Sequence, residues 1–181
     1  MSKPTTFVTK LTYDDYVCYP EDGNRHEIID GRHYMNPAPS TVHQTVSKRL
    51  QYLLYTQIEL AGKGVVFNAP VDVQLTQHDI VQPDLVVVLN SKKLIVTHSR
   101  IEGVPDLVVE IVSPSTIAND RELKRSLYQQ SGVTEYWIVD PLDQTLDQLI
   151  LRDGVYVAQP ASDDVVASVV DGVSVPLAKV W

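Results

Sequence analysis

Leu107-Val108-Val109-Glu110-Ile111-Val112 is the stretch on which the fold turns. Every position except Glu110 is apolar, and β-branched residues dominate. Such a run is a strand covered on both faces, in the interior of a sheet. Downstream, Ser113-Pro114-Ser115-Thr116 ends the strand, and a helix from about Ile117 to Gln130 carries Leu123, Leu127 and Tyr128 on one face before Gly132 stops it. Glu135-Tyr136-Trp137-Ile138-Val139-Asp140 is the next strand. Strand, helix, strand in that order makes a βαβ-like unit, so the expected class is α/β, with a central mixed β-sheet flanked by helices.

Upstream, Leu85-Val86-Val87-Val88-Leu89 is a second fully buried strand, introduced by Gln82-Pro83-Asp84. Shorter extended segments precede it at Val65 to Asn68 and Val71 to Leu75. Thr41 and Gln44 have capping-box spacing ahead of Val42, Val46, Leu50, Leu53, Leu54, Ile58 and Ala61, a helix of about five turns ended by Gly62 and Gly64. Asp30-Gly31 predicts an N-terminal hairpin from Arg25 to Asn36, and Thr12-Tyr13-Asp14-Asp15 a capping box that opens a short helix. Asp153-Gly154 marks a C-terminal hairpin between Thr145 to Leu151 and Val155 to Ala158, with one more turn at Asp171-Gly172. No repeat or Pro/Gly/Ser linker divides the chain, which reads as one domain over 1–181: an arm over 1–24, a core over 25–158 and a tail over 159–181.

The composition, 44% hydrophobic and 21% charged over 181 residues, allows a real core and excludes disorder or a fibre. The net charge of −8 excludes a protein that coats nucleic acid through a broad basic face, and leaves room for a local basic groove. Cys18 is the only cysteine, so a disulfide framework or a CxxC zinc site is excluded and a reducing compartment is expected. Without a secretory h-region near Met1 or an apolar run of about twenty residues, a cytoplasmic protein with no membrane contact is expected. His26, His33, His78 and His98 lack HxxxH or HExxH spacing, and Gly62-Lys63-Gly64 lacks the context of a P-loop.

Polar residues inside apolar strands carry the chemistry. Glu110 interrupts one buried strand and Asp84 stands at the entrance of another. Ionised carboxylates in such places are costly unless a cation compensates them, and two of them point to a shared metal. Hard oxygen ligands favour Mg²⁺ or Mn²⁺ over zinc, and Mg²⁺ takes one or two carboxylates and keeps its other positions for water or phosphate. The implied chemistry is on phosphoryl groups. Asp120, Lys124 and Tyr128 follow at i, i+4 and i+8, on one helix face that brings a lysine toward the site. An exposed Asp120–Lys124 ion pair is the simpler reading of that spacing alone. Asp84 also fits a turn residue after Pro83, whereas an unpartnered buried Glu110 has no ordinary structural reading.

Leu11-Thr12-Tyr13-Asp14-Asp15-Tyr16, His26-Glu27-Ile28-Ile29-Asp30-Gly31, Val81-Gln82-Pro83-Asp84-Leu85 and the run from Pro105 to Thr116, followed by Asp120, Lys124, Tyr128 and Gly132 to Pro141, form an ordered set. Through them the chain resembles the Uma-type family of restriction-endonuclease-like proteins, within the PD-(D/E)XK nuclease superfamily, over roughly Leu11 to Tyr156. The resemblance implies a restriction-endonuclease-like core with N-terminal and C-terminal hairpins. It implies that Pro83-Asp84 takes the place of the PD, and Glu110-Ile111-Val112 that of the (D/E)XK, with Val112 where a lysine is expected. Lys124 is then the migrated lysine, and Glu27 matches an additional acidic residue of the first hairpin. His43 matches a histidine that the family often carries near the start of its long helix; a polar first-turn residue on the surface is the alternative.

The function so implied is a Mg²⁺-dependent or Mn²⁺-dependent endonuclease that hydrolyses phosphodiester bonds of DNA. Asp84, Glu110 and the Ile111 carbonyl would bind the metal, Lys124 would orient the attacking water or stabilise developing charge, and Glu27 would hold a second metal or its water. His43, Gln82, Asp120 and Tyr128 are the supporting candidates. Two other readings compete: a non-catalytic nucleic-acid or protein interaction module, backed by the net charge of −8 and by Val112, and a metal-dependent phosphatase or nucleotide hydrolase. A two-fold homodimer or a higher homo-oligomer is expected, since restriction-like nucleases that cut both strands present two sites, with the apolar Val165 to Val175 stretch as its interface.

Overall fold

A computed structural model describes residues 9–20, 22–36, 38–113 and 119–181, with side chains from residue 122 onward in the last stretch. Ser115 and Thr116 of the expected strand end, Ile117, where the helix is expected to open, and the Asp120 side chain lie outside the described residues. In α1 (Tyr13–Tyr16) the Asp15 carboxylate accepts from the Thr12 backbone N–H at 2.8 Å, the return bond of the capping box, and also from the Thr12 hydroxyl at 3.0 Å. The N-terminal hairpin pairs β1 (Arg25–Ile29) with β2 (Arg32–Asn36). Its turn residues Asp30 and Gly31 have φ of 51° and 71°, the left-handed pair that a two-residue turn needs to match the strand twist.

α2 (Thr41–Leu54) is capped by Ser40 rather than by Thr41: the Ser40 hydroxyl accepts from the His43 backbone N–H at 3.2 Å, which makes Thr41 the first helical residue. The helix runs on through a π turn at Tyr55–Glu59. The widening has a local cause. The Thr56 hydroxyl donates to the Tyr52 and Leu53 carbonyls and the Gln57 amide donates to the Leu53 carbonyl, acceptors that a regular helix gives to backbone N–H groups.

The chain continues through β3 (Gly64–Asn68), β4 (Val73–Thr76), β5 (Asp79–Val81), β6 (Leu85–Leu89), β7 (Ile101–Glu102) and β8 (Leu107–Ile111). A π-helical stretch, Asn119–Lys124, leads into α3 (Arg125–Ser131), which Gly132 ends at a φ of 83°. β9 (Glu135–Asp140), β10 (Thr145–Arg152), β11 (Val155–Ala158), β12 (Asp164–Val166) and β13 (Ser174–Pro176) complete the order. The expected central mixed sheet is the six-stranded one, β11-β10-β9-β8-β6-β3, in which β8 and β9 are parallel and the other neighbours antiparallel. The hairpin belongs to a second mixed sheet, β2-β1-β5-β4-β7. β5 and β7 span three and two residues, too short to show a period in the sequence.

Alternate residues of the central strands feed two cores. Leu85, Val87, Leu107, Val109 and Ile111 pack with Leu50, Leu54 and Ile58 of the long helix. Val86, Val88, Val108 and Val112 pack with Leu127, Tyr128 and Tyr136. Both faces are covered, which is why these strands read as unbroken apolar runs. Glu110 shares the second face with Val108 and Val112, under α3. Val165, Val173 and Val175, part of the stretch expected to form a dimer interface, are buried in the first core, while Val166 is exposed. No described helix is long and apolar enough to cross a membrane.

The tail is tied to the sheet by Glu135. Its fully buried carboxylate accepts from Trp137 Nε1 at 2.6 Å, Gln148 Nε2 at 2.6 Å, the Ser168 backbone N–H at 2.7 Å and hydroxyl at 2.8 Å, and the Val169 N–H at 3.1 Å. Every one of these partners is a donor. Glu135→Gln points an NH₂ group at donors and is expected to cost about 2 kcal/mol of unfolding free energy. The check is the urea midpoint, which should fall at constant slope; an unchanged midpoint would remove Glu135 as the tail's anchor.

Candidate active site

The site forms where β1, the entrance of β6, the end of β8 and the start of α3 meet. Glu27 on β1, Asp84 before β6, Glu110 on β8 and Lys124 ahead of α3 are all buried, the last at 4% exposure. Lys124 Nζ donates to Glu27 Oε1 at 3.0 Å and to Glu110 Oε1 at 2.9 Å. Tyr128, one turn further along α3, donates its hydroxyl to the same Glu110 oxygen at 2.7 Å. The predicted helix face is therefore directed at Glu110, and Lys124 reaches it from fourteen residues away. Glu27 is held from behind: Oε1 accepts from the Gln82 backbone N–H at 2.8 Å and Oε2 from Asn36 Nδ2 at 2.7 Å.

Asp84 has its own set of donors. Oδ1 accepts from Arg25 Nη1 at 2.8 Å, and Oδ2 from His43 Nε2 at 3.0 Å and from the Ile111 backbone N–H at 2.8 Å. Burial pushes the Asp84 carboxyl up, but the His43 hydrogen bond, the Arg25 and His43 charges and the Ile111 N–H together outweigh it and hold the group below the usual carboxylate range. Burial, reinforced by the Glu110 and Glu27 charges, lifts the Tyr128 phenol well above its ordinary value, so it stays a proton donor.

The structure thus brings Glu27, Glu110, Lys124 and Tyr128 into one hydrogen-bonded group, and His43 and the Ile111 backbone to Asp84. Gln82 contributes its backbone; its side chain instead donates to Tyr16 Oη at 3.0 Å and Asp72 Oδ1 at 2.8 Å, linking the site to α1. Arg25 and Asn36 escaped the sequence reading. A signal existed for Arg25, since residues i and i+2 of a strand share a face and Arg25 stands two before Glu27. Asn36, paired with Arg25 across the hairpin, becomes visible only once the register is known.

These donors fit a hard divalent cation. In an extended residue the N–H and C=O leave the strand on the same side, so the Ile111 carbonyl leaves β8 on the side of the N–H that Asp84 accepts from. Among the described residues no group of three or more His, Cys, Asp and Glu side chains is arranged around a common point to hold a metal. Asp84, Glu110 and the Ile111 carbonyl are the hard oxygens that could hold one. His43, Arg25 and Asp84 open onto a cleft of about 270 Å³ beside α2.

Residues 13–178 match the profile of the Uma2 family, described as "Putative restriction endonuclease". A curated protein of Synechocystis sp., named as uncharacterized, is 28% identical over 138 residues, which cover 75% of this chain and 71% of that one. A crystal structure described as "a putative nuclease belonging to DUF820 from Anabaena variabilis" superposes with a TM-score of 0.77 at 18% identity, covering 94% of this chain and 97% of the other. At that identity the likeness is one of fold.

Two outcomes follow from the paired charges. Lys124→Met leaves buried carboxylates without their cation and should lower stability by about 3–5 kcal/mol; adding Glu110→Gln should recover part of the loss in a double-mutant cycle, and strict additivity would disprove the pairing. Asp84, depressed in the folded state, contributes stability that is complete above its unfolded value near about pH 4 and is lost as pH falls through the folded value. Asp84→Asn should therefore flatten the acid limb of a urea-midpoint series; an identical limb would contradict this.

Proposed function

The chain belongs to the Uma2 family, and from that premise we propose that it is a metal-dependent nuclease hydrolysing phosphodiester bonds of DNA, with Asp84, Glu110 and the Ile111 carbonyl as the ligands of Mg²⁺ or Mn²⁺. The observation that carries this reading is Lys124 Nζ, buried within 3.0 Å of both Glu27 and Glu110. It supplies the cation that Val112 cannot, and Val112 stays in the core. When bound, the metal supplies Lewis-acid polarisation of the scissile phosphate and a water of lowered pKa.

The chain's own groups divide the remaining work. Lys124 donates hydrogen bonds from its ammonium, orienting the attacking oxygen or stabilising the charge that builds on the phosphate. Glu27 holds the far side of the ammonium and fixes its direction. Tyr128, a donor throughout the neutral range, keeps the Glu110 carboxylate oriented. Arg25 neutralises Asp84 and His43 hydrogen-bonds to it before substrate arrives, and Arg25, on the wall of the cleft, would meet a phosphate there. A two-fold homodimer would bring two such sites to a duplex.

A specific observation favours the non-catalytic alternative. Both Asp84 oxygens already accept hydrogen bonds, and Lys124 is already bound to two carboxylates, so these groups are paired without a metal or substrate. The two readings part in one experiment. With Mn²⁺ or Mg²⁺ present, the wild type should cleave at least one of single-stranded, double-stranded or branched DNA or RNA, while Asp84→Asn and Glu110→Gln should lose about a hundredfold or more in rate. Calorimetric Mn²⁺ affinity should weaken by about tenfold or more in both variants, since each carboxylate is a ligand. Absence of cleavage under every condition, with Mn²⁺ binding unaffected by either substitution, would leave the interaction module as the function.

A further inference from the structure

α2 has a second working face beside the one it buries. Gln44, Ser47, Lys48 and Gln51, at i, i+3, i+4 and i+7, line the cleft that Asp84 and Arg25 open onto. Lys48 also borders a neighbouring pocket of about 440 Å³, whose other described walls are Arg49, Tyr52, Leu53 and Lys179. The two hollows meet at Lys48. In a chain of net charge −8, their lining side chains include Arg25, Lys48, Arg49 and Lys179 against one carboxylate, Asp84, which is itself paired. Arg49 donates to the backbone carbonyls of Val180 and Trp181. Lys48 is exposed and makes no hydrogen bond or ion pair among the described residues. Tyr52, one turn beyond it, is 67% exposed.

Resting on the nuclease reading above, we propose that this face of α2 is a strand-binding subsite for an unpaired polynucleotide: Lys48 takes the phosphate next to the one at Asp84, and Tyr52 stacks the following base against the Leu53 wall. The dimensions suit that use. Gln44 to Tyr52 spans about 12 Å along the helix axis, several times the rise of about 3.4 Å per nucleotide of a stacked strand. A lysine is a compact point charge that meets a phosphate without demanding a sequence, and an aromatic face accepts any base. Stacking on Tyr52 needs a base with a bare face. Inside a continuous duplex both faces are covered by neighbouring pairs, so the subsite selects single strands, frayed ends or gaps.

The test is fluorescence anisotropy of a labelled short oligothymidylate, and of a blunt duplex of equal length, in a chelating buffer that prevents cleavage. Tyr52→Ala should weaken oligothymidylate binding by about tenfold or more, Tyr52→Phe should restore it, and the duplex affinity should change far less. Lys48→Ala should weaken binding and reduce the salt dependence by about one counterion. Both residues are exposed, so melting temperatures should not move, and a lost affinity cannot be ascribed to unfolding. Wild-type binding that neither substitution alters, or equal losses on both probes, would overturn the subsite while leaving the nuclease reading standing. A wild type that binds neither probe and cleaves no nucleic acid would overturn both.

Discussion

A single ammonium group ties together two sheets and the helix that carries it. Lys124 bridges Glu27 and Glu110, residues of two different sheets, and is itself delivered by the helix that follows the second. Ionised groups this deeply buried are tolerated only in company. Glu27 therefore needs the backbone N–H of Gln82 and the amide of Asn36, Glu110 needs Tyr128, and Asp84 needs Arg25, His43 and the Ile111 N–H. The position of the hairpin, the entry of α2 and the approach of α3 are all constrained by the need to keep those partners within hydrogen-bonding range.

The surrounding fold makes the constraint affordable. β6 and β8 are covered on both faces, one by the long helix and the tail, the other by α3 and the second sheet, so polar groups at their ends sit in a medium that strengthens each pairing. Only the strand ends are polar. The two interior faces remain apolar, and Val112 can stay among them because the required cation arrives from a helix instead of from the strand.

Most of this was legible from residue pattern where the pattern is long. Leu107 to Val112 and Leu85 to Leu89 declare buried strands, and Thr12 to Asp15 declares a helix start. Glu110 announces itself as a charge with no business in an apolar run. The remainder depends on register and on segments too short to carry a period. The division into two sheets rests on β5 and β7, the displaced cap of α2 on whether Ser40 or Thr41 turns its hydroxyl inward, and the π turn on competition by Thr56 and Gln57 for carbonyls. Arg25 was within reach of local spacing, two residues before Glu27 on one strand face, whereas Asn36 belongs to the site through the hairpin register, which no local spacing encodes.

Because Glu27 lies ninety-seven residues from Lys124 in the chain, the charge cluster also reports on the completeness of folding. Strands β6, β8 and β9 with α3 can assemble from contacts far nearer in sequence, whereas the Glu27 bridge waits for the hairpin sheet to dock, and long-range contacts of that kind form late. A nascent or partly unfolded chain accordingly carries the acidic groups without their arrangement. On the nuclease reading proposed above, chemical competence would be coupled to the docking of the hairpin sheet, and would be lost with that docking.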